Sequence, residues 1–312
     1  MVAPTEPACR LYAILARDGR SAVVFRRGPS RQVLVLRWWL GSDKIEPGQW
    51  LKGRIYERRC DLSPDGDLLI YFAAKWNTPM QTWTAVSRTP YLTALALWPK
   101  GDAWGGGGVF MAPKTIGLNH RTEDAPRLLD GKSSKWHPLG QEKLALPKDY
   151  KFQRWSEYAG SGEDNPILYH RTTRDGWSMI QPGDPGHHSS SGYSWLFNSP
   201  EIYERSSPSN APLILRRYLR AIGERNGAWY VEDFEVRNSD GTVLRLIEGC
   251  SWADWQANGD LLFALGDSLY RLLAKDAGEV ASDPIDKAIC VASLGELRFK
   301  DVLATDWARQ WP

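Results

Sequence analysis

The stretch Cys60 to Ala74, CDLSPDGDLLIYFAA, constrains this chain more than any other. It reads as a strand, a tight Ser63-Pro64-Asp65-Gly66 turn, and a second strand of almost unbroken apolar residues. Proline at the second turn position presets φ, and glycine at the fourth tolerates the exit geometry. A degraded copy stands far downstream at Ala253 to Leu265, ADWQANGDLLFAL. Aligned without gaps, Asp61, Gly66, Asp67, Leu68 and Leu69 meet Asp254, Gly259, Asp260, Leu261 and Leu262. Two copies of one strand–turn–strand unit indicate a repeat architecture.

Composition agrees with strands. The 312 residues include 16 Trp, 20 Pro and 28 Gly, and aromatic or β-branched runs are cut by turn residues throughout. A net charge of only +2 gives no strong field towards nucleic acid or an anionic membrane. Cys9, Cys60, Cys250 and Cys290 lie too far apart for a CxxC pair, so neither a zinc knuckle nor a disulfide framework is expected. Cys60 and Cys250 sit in apolar strands, where cysteine acts as a small buried hydrophobe. The first twenty residues lack a signal-peptide pattern, and no stretch reaches a membrane-spanning length; the expected compartment is the cytoplasm.

In chain order, Ala22 to Phe25, Val33 to Trp39 and Trp50 to Arg59 read as strands, with Leu40 to Gln49 a polar loop. Thr82 to Val86, Tyr91 to Trp98 and an extended Val109 to Leu118 follow. Residues 120–151 read as a long excursion. Phe152 to Tyr158, Ile167 to Thr172 and Trp177 to Gln181 read as short strands, and 182–212 as a second, looser excursion. Leu213 to Ile222 has some helical spacing, but GERNG followed by AWYVEDFEV reads as a hairpin, so the segment reads as a strand; Asp240–Gly241 makes a further hairpin turn into Val243 to Ile247. Strands then recur at the second copy, at DSLYRLL and at Lys287 to Ala292.

Short strands with regular turn signals suit a sandwich, a barrel or a propeller. Here the residues reach a resemblance. DLSPDGDLLIYF resembles the blade motif of TolB-type and WD-repeat propellers, in which the motif occupies the inner strands of a blade. The chain as a whole, with RGPSRQVLVLRW, EPGQWLKGRIYERRCDLSPDG and YLTALALWPKGDAWGGGG, is also similar to an uncharacterised bacterial family. The expectation is one all-β domain over 1–312, a β-propeller of roughly five blades, or four. Early strands would be joined to late ones to close the ring.

Several segments could carry chemistry. Trp98 to Gly108, WPKGDAWGGGG, holds four consecutive glycines, which implies positive φ or a close backbone approach. It lacks the spacing of a phosphate loop, so a bulge or channel-lining strand is expected; the binding residues read from it are Trp98, Asp102, Trp104, Gly105 and Gly106. His187–His188 reads as part of a mobile loop rather than a metal site, and neither metal nor cofactor is expected. Glu57, Asp61, Glu157, Glu232, Asp233 and Asp254 are candidate acids, with Asp61 and Asp254 read as turn caps. Arginines at 26, 27 and 31, at 54, 58 and 59, and at 216, 217 and 220 read as solvated strand faces. The function expected is an interaction module offering loops to a protein partner, with neither nucleic acid nor membrane. The alternative is a glycosidase-like hydrolase with carboxylates in the channel.

Overall fold

The computed structural model describes residues 9–28, 31–120, 147–154, 164–184, 186, 192–209, 212–224 and 228–312, together with the backbone of 127–129 and 136–138. The His187–His188 pair and Glu157 lie outside the described residues. The chain falls into two compact units, Ala13–Thr172 with Arg298–Pro312, and Met1–Tyr12 with Thr173–Leu297.

The fold is all-β, and its sheets are meanders of consecutive strands, the local build of propeller blades. The first sheet is β1 (Arg10–Leu15), β2 (Ser21–Arg27), β3 (Gln32–Trp39) and β4 (Lys44–Lys52), in that order. Its central strands carry Val24, Leu34, Leu36 and Trp38, all fully buried. Among the described residues, these early strands pair with one another in the order β1-β2-β3-β4. Lys44–Lys52 is a correction, because the segment read as a loop is an edge strand. An edge tolerates Pro47, whose missing N–H would break a central ladder.

The second sheet holds the SPDG unit. β5 (Arg54–Ile55) and β6 (Asp61–Leu62) both pair with β7 (Leu68–Lys75), followed by β8 (Gln81–Arg88) and β9 (Ala94–Pro99). Between β5 and β6 the chain makes a single 3-10 turn, Glu57–Arg59, where a continuous strand had been expected. The Ser63–Gly66 turn closes with Gly66 N–H donating to Ser63 O at 2.9 Å, and Gly66 has φ +75°. Ile70, Val86 and Ala96 meet across the strands and face a core with Phe110, Ile116 and Leu118. The last three belong to a sheet of β10 (Gly108–Ala112), β11 (Thr115–Leu118) and β14 (Lys151–Arg154). Of the 120–151 excursion, most lies outside the described residues, and a backbone hairpin of β12 (Arg127–Leu129) and β13 (Trp136–Pro138) stands within it. Residues Ile167–Arg174 form a helix, α1, where a strand had been expected. Its buried Arg171 donates to the carbonyls of Glu57 and Cys60, a tertiary anchor that a six-residue reading could not see.

In the other unit, β15 (Ser178–Gln181), β16 (Tyr193–Ser206), β17 (Leu213–Glu224), β18 (Tyr230–Asn238) and β19 (Val243–Ile247) form one antiparallel sheet. The fourteen-residue β16 overturns the reading of 182–212 as a loose excursion. A bulge between Leu196 and Glu201 absorbs Pro200, so a strand persists through a Ser- and Pro-rich stretch. The second repeat copy supplies β20 (Cys250–Trp255) and β21 (Leu261–Leu265), which continue into β22 (Ser268–Leu272) and β23 (Ile289–Ser293). Its turn repeats the first, with Gly259 N–H on Gln256 O at 2.9 Å and φ +89°. Trp177, Leu215, Phe234, Trp255 and Phe263 make this unit's core.

Candidate functional site

The glycine-rich segment leaves β9 and wraps around one buried cation. Arg59, 1% exposed, donates from Nη1 to the carbonyls of Ala103 and Gly105, each at 2.7 Å, and from Nε to Asp164 Oδ1 at 3.2 Å. Its guanidinium also lies 4.7 Å from the Tyr56 ring centroid and 5.3 Å from that of Phe72. A carbonyl-lined collar needs backbone at close range, and glycine allows it. Gly105, Gly106 and Gly107 have φ of +73°, +82° and +82°. A Cβ on Gly106 would fall 2.3 Å from the Phe72 ring, and one on Gly107 only 2.1 Å from Arg59 O.

Both requirements expected of the run, positive φ and close approach, are therefore met by packing on the chain's own residues. Two of its amides are engaged within the protein. Gly106 N–H donates to Asn119 O at 2.9 Å, and Gly107 N–H to Thr84 Oγ1 at 2.7 Å. Gly107→Ala should destabilise this unit by about 2 kcal/mol or more, since a strained φ and a backbone clash add. Urea unfolding against the wild type checks this, and an unchanged midpoint would contradict the collar.

The same packing fixes the tip of the loop. Thr82 Oγ1 donates to Asp102 O at 2.5 Å, and Asp102 Oδ1 accepts the Trp104 N–H at 2.8 Å and Lys100 Nζ at 3.1 Å. Trp104 stands out from this held backbone with 71% of its surface exposed. Of the five residues read as binding residues, Asp102, Trp104, Gly105 and Gly106 come together on one loop. Trp98 goes to the core, half-buried with its ring 5.2 Å from Phe152. Arg59 is the organising residue that the sequence reading missed, because a guanidinium in ERRC carries no local sign of burial.

The candidate acids have structural partners. Asp61, fully buried, accepts the Phe110 N–H at 2.8 Å. Asp254 pairs with Arg205 and accepts the Trp255 N–H; burial pushes its carboxyl above the ordinary range, against the pull of that arginine. Within the repeat turns themselves, Asp65 accepts the Asp67 N–H and Asn258 accepts the Asp260 N–H. Glu57, Glu232 and Asp233 face Arg27, Arg217 and Arg220. The arginine clusters are correspondingly less solvated than expected. Arg26, Arg58 and Arg59 are buried, and Arg217 lies over the Tyr203 ring at 4.3 Å. Cys60 and Cys250 are buried as expected, and burial pushes both thiols up.

No family model and no curated protein matches the chain in sequence. Among solved structures it is similar to prolyl oligopeptidase B from Galerina marginata, at 9% identity and TM-score 0.21 over 92% of this chain and 34% of that one. It is also similar to the β-propeller domain of Swd1 from Myceliophteria thermophila, at 11% identity and TM-score 0.22 over 93% and 73%. A third is the β-propeller domain of the trilobed protease from Pyrococcus furiosus, at 9% identity and TM-score 0.29 over 86% and 82%. The chain spans less than half the length of the two prolyl peptidases it matches, 42% of one and 34% of the other. The class defined by the strand pairing is an all-β chain of successive blade-like sheets. No helix among the described residues is long and apolar enough to cross a membrane.

Proposed function

We propose that the chain is an interaction module of propeller type that offers the 100–108 loop to a protein partner, with Trp104 as the main contact. One observation carries this reading: a tryptophan 71% exposed on a backbone held by its own unit. An exposed indole on a mobile loop would lose much of its binding energy in being ordered. Here that ordering is completed during folding. Tryptophan also dominates interface energetics, because it buries a large area at little cost in rotamer entropy. Asp102 beside it, with a side chain 49% exposed, supplies a polar rim.

Trp104→Ala should leave the melting temperature within about 1 °C, because the side chain packs on little. The same change should weaken partner binding by about 2 kcal/mol or more, near thirtyfold. Quantitative affinity capture with the wild type, Trp104→Ala and a Leu303→Ala control measures this; Leu303 is 82% exposed on a different segment. A partner kept by the control and lost from Trp104→Ala at equal stability agrees with the reading. Equal recovery from all three would remove Trp104 from the contact.

A further inference from the structure

We infer that the face of the β7–β9 sheet turned away from the glycine loop is a binding groove for an extended apolar peptide segment. That segment would be about four residues long, with a carboxylate at one end and a cation at the other. The register fixes the faces. Tyr71 pairs with Ala85 and Ala85 with Leu97, while Ala73 pairs with Trp83, so Tyr71, Trp83 and Leu97 share one face. Phe72, on which the glycine loop packs, points to the other. Trp50 of β4 and the terminal segment at Asp301–Val302 close the first face into a groove of about 630 Å³. That volume is in the range of cavities that hold small ligands and short peptides.

The polar atoms of the groove wall are mostly engaged within the wall. Gln49 Nε2 donates to Val302 O at 2.8 Å, and Gln49 Oε1 accepts from Leu92 N at 2.8 Å and Thr93 Oγ1 at 3.0 Å. Tyr71 Oη donates to Leu92 O at 2.7 Å. The floor is therefore apolar, and Lys75 and Asp301, both exposed, are the only charged side chains of the lining. From the contacts of their neighbours we place these two charges at opposite ends of the groove. Asp301 adjoins Val302, at the Gln49, Leu92 and Tyr71 end, and Lys75 is the last residue of β7. From Tyr71 to Lys75 a strand advances about 13 Å at roughly 3.3 Å per residue, the length of an extended tetrapeptide. An occupant with an apolar middle and opposite charges at its ends matches this arrangement. A fatty carboxylate would answer Lys75 and leave Asp301 beside hydrocarbon. β9 is also the edge strand of its sheet, so it offers backbone groups alongside the groove.

The proposal is independent of the Trp104 loop and is tested separately. The probe is the free tetrapeptide Ala-Val-Pro-Leu, titrated into the full chain by calorimetry with tryptophan fluorescence as a second signal. Saturable binding is expected, about fivefold weaker for the C-amidated peptide and weaker by a similar factor for the N-acetylated one. Lys75→Glu should weaken the free peptide about fivefold and leave the amidated peptide unchanged. Asp301→Lys should do the same with respect to the acetylated peptide. Both residues are exposed, so both variants should keep the wild-type melting temperature, and Trp104→Ala should change nothing in this assay. Absence of saturable binding, equal binding of free and doubly blocked peptides, or decanoate binding more tightly with dependence on Lys75 alone would each overturn the inference.

Discussion

Replacing Arg59 with leucine should cost this protein about 3–5 kcal/mol, the usual loss when one partner of a buried charge pair is removed. The guanidinium joins two pieces of chain that are remote in sequence, Asp164 ahead of α1 and the Ala103 and Gly105 carbonyls, and it also packs over the rings of Tyr56 and Phe72. Leucine restores apolar volume but none of these hydrogen bonds, and the collar carbonyls would be left without that donor in a dry site. At roughly 2–4 °C per kcal/mol for a unit of this size, the melting temperature should fall by about 10 °C. Calorimetry measures the fall, and hydrogen exchange at Gly106 and Gly107 should speed up beyond the global change, since their positions depend on the collar. Arg59→Lys should recover only part of the loss, because an ammonium cannot span both carbonyls and Asp164 at once. A leucine variant as stable as the wild type would show that the glycine run holds its course without the cation.

Removing Arg298–Pro312 should have a comparable effect for a different reason. This segment forms no strand, yet it places aromatic rings along its own unit. Phe299 sits 6.0 Å from Trp50 and under Lys52, Trp307 is edge-on to Tyr91 at 5.5 Å, and Trp311 lies 4.8 Å from Tyr150. Ala308 between them is fully buried. Trp307 keeps 45% of its surface exposed, so it contributes less than a core tryptophan. Counting about 1 kcal/mol for each half-buried ring and about 2 for Trp311, the deletion should cost roughly 4 kcal/mol. Chemical unfolding of the truncated chain checks the total, and Trp311→Ala alone should account for near half of it. A truncated chain with an unchanged midpoint would show that the segment adds nothing to stability. The segment is held further by the Gln49–Val302 hydrogen bond.

Sequence reading worked wherever local chemistry decided the outcome. Ser63-Pro64-Asp65-Gly66 and its distant copy form the same glycine-closed turn, because proline, asparagine and glycine set backbone angles without help from the rest of the chain. The strand at Leu213–Glu224 was legible despite partial helical spacing, because GERNG followed by AWYVEDFEV signals a hairpin. The glycine run likewise announced positive φ and close contact. It could not announce what approached. Arg59, its collar and Asp164 are 44 to 105 residues apart along the chain, and only folding brings them together.

Tertiary context also decided the elements that were misread. Ile167–Arg174 is too short and too weakly patterned to choose between helix and strand, and Arg171 reaching the Glu57 and Cys60 carbonyls holds it as a helix. Lys44–Lys52 and Tyr193–Ser206 look like loops because they are polar and carry proline. They are strands because a neighbouring strand offers its ladder and a bulge or an edge accommodates the proline. The exposure of Trp104 and the opposite charges at the ends of the groove belong to the same category. Sequence places a tryptophan beside glycines and a lysine at the end of a strand. Whether such side chains are buried or presented depends on which distant residues fill the space around them, and only the packed chain determines that.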